Sequence, residues 1–501
     1  MIRPNAHSFF SRNWCGRGMQ FVLLHELPCY HLCDSSHWIP WEDKMNHFLG
    51  RSSTYALCLL AACALGVPLT AQVAGPIKVI TVDGKPPGPV SSSGILTGKT
   101  LYIAAQDGRN ADGTVPADFQ QEASQSLSNV QGVLHAAGMD FGNSTWMIVY
   151  LVHAADIDKM NDVYWKMIGA NPPARTVLVV GALPNNENIQ INCIAVSSDA
   201  KRQVIHPQGW PQGPHMDPPG VQADDVLYIS AQSGADPLTG KIPDDPATEA
   251  KQALDNVDTI LKAANMTMAN VVWVNPFLDA DAAQMNQAYA AAFSFEFGHT
   301  PGRGTTRVVD LPNHAHMVFT AIAGADRSKL KDVQTINMAP SPTASPGVQY
   351  DDTLYLSGKS GSWEMPLGGG GGARGRRAAV NPNAGTGLAS AAGGGAGGRG
   401  GARAGRGARG REPMPDLDTQ VHLSLRNLYD GLLVANMNFG SVVWNVDYVR
   451  DIKDADQVQN ITSNYWAKDH LPARTTFQQT LDTTTGGAEQ ISTISVLVPN
   501  Q

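Results

Sequence analysis

An internal repeat constrains this chain more than any other feature, because repeated sequence must fold as repeated structure. A helical Leu-x-Asn-(Val/Leu) pattern occurs three times, at 127–130, 254–257 and 425–428. Each copy is followed by a residue that tolerates the left-handed conformation closing a helix: Gly138, Asn265 and Asn436. A Pro-x-Arg pattern then ends at Arg175, Arg303 and Arg474. The sequence therefore predicts three tandem domains.

A glycine-rich insert lengthens the third copy. The tract at 367–412 is almost entirely Gly, Ala and Arg, and it contains eight arginines. Such a composition cannot bury a core, so we expect a disordered loop. We predict domains at 78–198, 203–326 and 335–499, with the insert in the third.

Within each copy the periodicity changes in the same order. In the first copy, strand patterns at 101–104, 146–151, 176–180 and 189–196 alternate with two helical patterns. Asp118 is placed to cap the first helix, whose apolar residues recur every three or four positions. The order ββαβαββ predicts an α+β layer with helices on one face of a sheet. The other sheet face is also apolar, so a neighbouring copy must cover it.

Composition narrows the possible functions. The chain has 501 residues, of which 16% are charged and 43% hydrophobic, as expected for a globular protein. The net charge of −8 argues against a general nucleic-acid binder. Past the N-terminal region there is no run of about 20 apolar residues, which excludes a polytopic membrane protein.

The N-terminal region reads as a leader for export. An apolar run at 55–69 follows Arg51 and ends near Ala71, as in a secretory signal at 45–71. Residues 1–44 would then be a start-site artefact or a disordered segment, and the mature protein would be periplasmic or secreted. Cleavage before Cys63, giving a lipid-anchored protein, is the alternative.

Five of the six cysteines precede residue 64. Cys29, His31, Cys33 and His37 have irregular spacing and lie upstream of the signal, so we expect no metal site there. Cleavage leaves Cys193 alone, which excludes an intramolecular disulfide in the mature chain. We predict neither a metal nor a cofactor.

Several motifs together identify a family. Each copy has a Leu-Tyr-(Ile/Leu) strand, at 101–103, 227–229 and 354–356, and the first ends with Ile-x-Ile-x-x-Ile-Ala-Val at 189–196. With the Leu-x-Asn helix, Met-Asn-x-x-Tyr and Pro-Ala-Arg, they resemble the RidA/YjgF/YER057c family, also called L-PSP endoribonuclease-like. The resemblance implies a chorismate-mutase-like fold and homotrimers with ligand sites between subunits. We therefore expect an intramolecular pseudo-trimer, monomeric in solution.

The resemblance also implies an activity. Active family members hydrolyse reactive enamines and imines to 2-oxo acids and ammonia. Their arginine holds the substrate carboxylate, for which a guanidinium offers a matching two-pronged donor. This role falls to Arg175, Arg303 and Arg474. The predicted supporting pocket residues are Asn161, Tyr164, Asn286, Tyr289, Ser230, Ser357, Lys359, Gln190 and Gln490.

One family feature is missing from all three copies. The carboxylate expected on the last strand is replaced by Gln190, Val318 and Gln490, none of which can act as a base. Glu489 could take its place if the strand register shifted by one residue. Lys359 replaces a family glutamine and could bring a positive charge into one cleft.

Three functions remain open. The first is an imine or enamine deaminase-type hydrolase acting on small carboxylate-bearing metabolites. The second is a non-catalytic binder of 2-oxo acids or related carboxylates, favoured by the missing base. The third, an RNA-binding or endoribonuclease-like protein, depends on the Arg/Gly-rich insert, but the tract lacks interleaved aromatic residues, which favours a solvated spacer.

Overall fold

The computed structural model describes residues 75–82, 88–279, 282–293, 299–335, 343–361, 415–480 and 487–498. These residues belong to one compact unit, Thr70–Gln501. The predicted leader at 45–71, the segment 1–44 with its cysteines and histidines, Cys63 and the insert at 367–412 lie outside the described residues. Within the described part, no helix is both long enough and apolar enough to cross a membrane.

The first module is an antiparallel and parallel mixed sheet with two helices. Its elements are β1 Lys78–Ile80, β2 Gly94–Thr97, β3 Thr100–Asp107, α1 Phe119–Ala136, β4 Ser144–Leu151, α2 Ile157–Ile168, β5 Ala174–Val179 and β6 Ile189–Val196. The sheet order is β1-β2-β3-β6-β4-β5. Only β4 and β5 pair in parallel, and α2 supplies the crossover between them. The short edge strand β1 comes before the first strand of the order ββαβαββ that the sequence predicted, and it was not part of that prediction.

The second module repeats this topology. Its elements are β7 Arg202–Ile205, β8 Gly220–Ala223, β9 Val226–Ser233, α3 Pro246–Ala263, β10 Val271–Leu278, α4 Ala282–Ala292, β11 Gly302–Arg303, β12 Thr306–Arg307 and β13 Met317–Gly324. The strand equivalent to β5 is here divided into β11 and β12, and both pair with β10.

The third module repeats it again. Its elements are β14 Leu330–Val333, β15 Gly347–Tyr350, β16 Thr353–Ser360, α5 Leu417–Val434, β17 Val442–Val449, α6 Ala455–Ser463, β18 Ala473–Gln478 and β19 Glu489–Val496. The sheet order β14-β15-β16-β19-β17-β18 matches that of the first module strand for strand. The prediction of a repeated α+β fold is therefore confirmed.

The long helices begin and pack as the sequence indicates. Asp118, Asp245 and Asp416 each accept a backbone N–H in the first turn of α1, α3 and α5. Each helix then buries one apolar face against its own sheet, with Leu127, Leu254 and Leu425 at equivalent positions in three separate cores. Removing these side chains from water is the main source of stability within each module.

The opposite sheet faces share one core. Residues from all three sheets form a single buried apolar cluster. At its centre Trp146, Trp273 and Trp444, one from each module, lie with ring centroids 5.9–6.4 Å apart. The apolar sheet face that the helices leave exposed in each module is thus covered by the other two modules.

Hydrogen bonds donated by backbone N–H groups join the modules in a closed cycle. The Arg175 N–H donates to the second module, at Ser230, and the Arg303 N–H donates to the third, at Ser357. The third module returns to the first, because the Ser92 N–H donates to the Pro472 carbonyl. We call these three boundaries the first, second and third junctions, named in that order.

Candidate functional site

A buried arginine stands at each junction. Arg175, Arg303 and Arg474 are the second residues of the edge strands β5, β11 and β18, which pair in parallel with β4, β10 and β17. Their exposed fractions are 7%, 2% and 5%. Removing a guanidinium from water is costly unless it is paired, so each of these side chains requires a partner.

Serine hydroxyls position two of the arginine strands. Ser230 Oγ accepts the Arg175 N–H at 3.0 Å, and Ser357 Oγ accepts the Arg303 N–H at 2.8 Å. The same hydroxyls donate to the Pro218 and Ser345 carbonyls of their own modules. These serines therefore fix the neighbouring strand and loop, and the third junction has Ala104 at this position.

An asparagine and a tyrosine hold the first two guanidinium groups. Arg175 Nη1 donates to Asn161 Oδ1 at 2.8 Å, and its Cζ lies 4.1 Å from the Tyr164 ring centroid. The second junction repeats this contact set. Arg303 Nη1 donates to Asn286 Oδ1 at 3.2 Å, and its Cζ lies 4.6 Å from the Tyr289 ring centroid. Spacing of three residues places both side chains on one helix face.

The third junction differs. Arg474 Nη2 donates to Thr462 Oγ1 at 2.8 Å, and its Nε lies 3.5 Å from Asp447 Oδ2. The tyrosine at the position corresponding to Tyr164 and Tyr289, Tyr465, is 39% exposed and packs edge-on against Phe439. Burial lowers the pKa of Arg474, and Asp447 opposes that shift. Burial also raises the pKa of Asp447, which Arg474 in turn opposes.

An acidic residue that the sequence analysis missed occupies the first junction. Asp217 lies in the loop between β7 and β8, and its Oδ2 accepts from Arg175 Nη2 at 2.9 Å. Its Oδ1 lies 2.8 Å from Arg175 Nε, which adds an ion-pair contact without hydrogen-bond geometry. His215 of the same loop stacks on Trp165, beside Arg175. The only sequence signal was an acid within a proline-rich stretch before a strand.

A cavity of about 590 Å³ opens beside this ion pair. It lies between the modules and is lined by Asn161, Arg175 and Val177 of the first and by Asp217, Ser233 and Val318 of the second, among others. Val318 is the second-module residue at the position of the family carboxylate. The cavity therefore joins the arginine of one module to the last strand of the next.

The second junction has donors in need of acceptors. Arg303 Nε and Nη2, Thr305 Oγ1 and Gln490 Nε2 are buried without a hydrogen-bond partner. None of the ion pairs among the described residues involves Arg303, whose pKa is lowered by burial. Buried unpaired polar groups are rare in native proteins, and they commonly mark a place for water or a ligand.

The two glutamines at the family-carboxylate position have different environments. Gln190 Nε2 donates to Glu187 Oε2 at 2.8 Å, and Arg109 holds the other carboxylate oxygen of Glu187. Burial raises the pKa of Glu187 to about 7. Gln490 packs closely against Gly358, where any Cβ would collide with its side chain. Lys359, next along β16, is buried and donates to the Pro346 carbonyl at 3.1 Å.

The expectation for Glu489 is wrong. Glu489 pairs with Val449 across the sheet, and its side chain accepts from Ser424 on helix α5. It therefore lies in the helix-facing layer, while Gln490 pairs with Tyr448, whose ring belongs to the shared central core. Adjacent residues of a strand face opposite sides of the sheet, so Glu489 does not replace the family carboxylate.

Comparisons with known proteins agree with this architecture. The family model described as Endoribonuclease L-PSP matches the chain at residues 85–197 and again at 212–324. A 2-iminobutanoate/2-iminopropanoate deaminase of Bos taurus is 37% identical over 123 residues, which cover 24% of this chain and 89% of the bovine protein. The protein of that name from Homo sapiens is 32% identical over 124 residues, covering 24% of this chain and 90% of its own.

Solved structures give similar matches. The YjgF gene product of Escherichia coli is 31% identical, covers 25% of this chain and 99% of its own, and has a TM-score of 0.23. RidA from a Psychrobacter species is 26% identical, covers 24% of this chain and 99% of its own, and also has a TM-score of 0.23. With relatives matched over nearly their full length and one topology repeated three times, this chain belongs to the RidA/YjgF family.

Proposed function

We propose that this protein is an imine or enamine deaminase-type hydrolase for small metabolites that carry a carboxylate. The arginine clamp supports this proposal: a buried guanidinium, an asparagine that holds one Nη and a tyrosine ring beneath it, at two junctions. The relatives named as iminobutanoate and iminopropanoate deaminases support the same substrate class.

The reaction would use the clamp to hold the substrate carboxylate while water attacks the imine carbon. The water oxygen bonds to that carbon, and a proton passes to the imine nitrogen. The hydroxyl proton of the resulting carbinolamine then passes to the nitrogen as the C–N bond breaks, which releases ammonia and leaves a 2-oxo acid. Because Gln190, Val318 and Gln490 replace the family carboxylate, orientation by the clamp supplies most of the rate enhancement.

The test couples the protein to an enzyme that generates 2-iminobutanoate and follows release of 2-oxobutanoate. The protein is expected to accelerate release above the buffer rate. Arg303→Met, which removes the guanidinium but keeps a long side chain, should lower the acceleration by at least about tenfold. Asp244→Asn, at an exposed site, is the matched control. Release at the buffer rate with the unmodified protein would contradict hydrolysis.

The second candidate is a non-catalytic binder of 2-oxo acids, favoured by the amide and valine side chains in place of the carboxylate. The same clamp would bind the 2-oxo acid product. The two proposals therefore share a ligand class and differ only in whether the protein hydrolyses an imine. Heat released on adding 2-oxobutanoate, combined with no acceleration in the coupled assay, would select this candidate.

We also propose that one chain stands in for a family trimer. The closed cycle of hydrogen bonds and the three tryptophans in one core support a monomeric pseudo-trimer. The junctions then lie within one molecule, so their sequences are able to diverge separately. A symmetric homotrimer must keep all three sites identical.

A further inference from the structure

We infer that each chain binds one small carboxylate, at the second junction, and that internal carboxylates already occupy the arginines of the other two. This inference rests on the proposed carboxylate recognition and adds which junction performs it. The observation behind it is the pairing of the three arginines. Arg175 contacts Asp217 and Arg474 contacts Asp447, whereas Arg303 has no acidic partner within the part of the chain that the structure describes.

At the first junction the internal acid takes the geometry expected of a ligand. Both Asp217 oxygens lie within 2.9 Å of Arg175 nitrogens, and Oδ2 accepts a hydrogen bond from Nη2 as a bound carboxylate would. Asp217 is tethered beside the site, so its effective concentration is in the millimolar range or above. A free 2-oxo acid must displace it and would bind more weakly by about tenfold or more.

At the third junction the internal acid comes from the same module. Asp447 lies on β17, beside the strand that carries Arg474, and its side chain is fully buried. Asn445 and Thr476 also donate to its carboxylate, so it is held by three neighbours. A second carboxylate brought to Arg474 would face Asp447 in a buried place, where like charges repel strongly.

The second junction lacks a carboxylate for a reason visible in the sequence. Ser230 donates to the Pro218 carbonyl as Ser357 donates to the Ser345 carbonyl, so the residues directly before β8 and β15 correspond to each other. Asp217 precedes Pro218, and Ala344 precedes Ser345. Alanine therefore stands where the first junction has its internal acid, and Arg303, unlike Arg175 and Arg474, forms no ion pair among the described residues.

The Thr305 hydroxyl is a further hydrogen-bond donor at the second junction. Thr305 is two residues after Arg303, at the position of Val177, which lines the first-junction cavity. Its Oγ1 is buried and unpaired, as is the Gln490 amide on the facing module. Thr305 and Gln490 thus offer an anion hydrogen bonds that Val177 and Val318, at the corresponding positions of the first junction, cannot offer.

A reciprocal exchange of the two loop residues tests this inference in the full chain. Binding of 2-oxobutanoate is measured by calorimetry and equilibrium dialysis at millimolar concentration. The unmodified protein is expected to bind one molecule per chain. Asp217→Ala, which copies Ala344, should add a second binding site, at the first junction. Ala344→Asp, which copies Asp217, should weaken binding at the second junction at least tenfold. The double exchange should restore one site per chain.

The controls separate the possible failures. Asp244→Asn changes an exposed carboxylate of the same module and should leave one site. Asp217→Asn, whose side chain has nearly the same shape, should also allow a second ligand to bind, at the first junction. It tests the inference even if Ala344→Asp fails to fold. Two or three sites in the unmodified protein, or one site in both Asp217 variants, would overturn the inference alone. Absence of binding by both the unmodified protein and Asp217→Ala would overturn carboxylate recognition itself.

Discussion

At the scale of single residues, one position along a strand separates two roles. Gln490 faces the central core side, whereas Glu489 faces helix α5 and receives a hydrogen bond from Ser424. Burial raises the pKa of Glu489 to about 8, because the helix-facing layer solvates a charge poorly. Glu489 is therefore a protonated structural residue at neutral pH.

This environment predicts how stability depends on pH. The unfolded chain releases the Glu489 proton near its ordinary pKa of 4.5, whereas the folded chain retains it until about pH 8. The free energy of unfolding therefore falls as pH rises through this window, by an amount on the order of a few kcal/mol. Glu489→Gln cannot titrate, so it should be more stable than the unmodified protein at pH 8 and similar at pH 5.

Urea unfolding at pH 5, 6, 7 and 8 measures this difference. Glu187, whose pKa is raised to about 7, contributes a slope of the same sign, so the variant should reduce the pH dependence without abolishing it. Asp456→Asn, at an exposed position of α6, should leave the slope unchanged. Equal slopes in Glu489→Gln and the unmodified protein would show that Glu489 is ionised in the folded state.

At the scale of elements, the same helix start is used three times. The Asp118 side chain accepts the Gln121 N–H at 3.0 Å, and Asp245 and Asp416 make the equivalent contact in α3 and α5. Such a cap satisfies a backbone donor that has no partner within the helix. The three long helices thus start at equivalent places because each copy carries the same local signal.

Replacing the first of these caps should weaken the fold moderately. Asp118→Ala leaves the Gln121 N–H without its side-chain acceptor and should lower the free energy of unfolding by about 1 kcal/mol. Asp118→Asn retains an acceptor oxygen and should lower it by less. Urea titrations of the two variants, followed by circular dichroism, make the comparison. Equal losses would indicate that the charge at this site, and not the hydrogen bond, stabilises α1.

At the scale of the whole molecule, the three modules depend on one core. Trp273 packs edge-on against both Trp146 and Trp444, and all three side chains are almost fully buried. An isolated module would expose this face to water, since its own helices cover only the other side of its sheet. The modules should therefore unfold together.

Truncating the central tryptophan tests this dependence. Trp273→Ala should lower the free energy of unfolding by about 3–5 kcal/mol and should lower the midpoint for all three modules at once. Sedimentation should show the mass of one chain for the unmodified protein, as the pseudo-trimer proposal requires. Separate unfolding transitions in urea, or a concentration-dependent mass, would contradict a shared core within one chain.

Much of the site could be read from the sequence because its signals are local and repeated. The arginine follows a proline at the start of a strand in every copy, and Asn161 and Tyr164 lie one turn apart on a helix. The same pair recurs as Asn286 and Tyr289, and a motif that recurs at the same place in a repeat rarely arises by chance. The repeated α+β modules, and the need to cover a second sheet face, followed from the same short-range periodicities.

Only the tertiary structure showed that the three arginines differ. Asp217 is 42 residues from Arg175 and belongs to the next module, so no local pattern connects them. Asp447 meets Arg474 through strand pairing, and Glu489 is separated from Gln490 by the register of one sheet. Sequence alone determined which groups the chain carries, because helices and strands obey short periods. Folding decided which charges meet, because counter-ions come from loops and strands that only packing brings together.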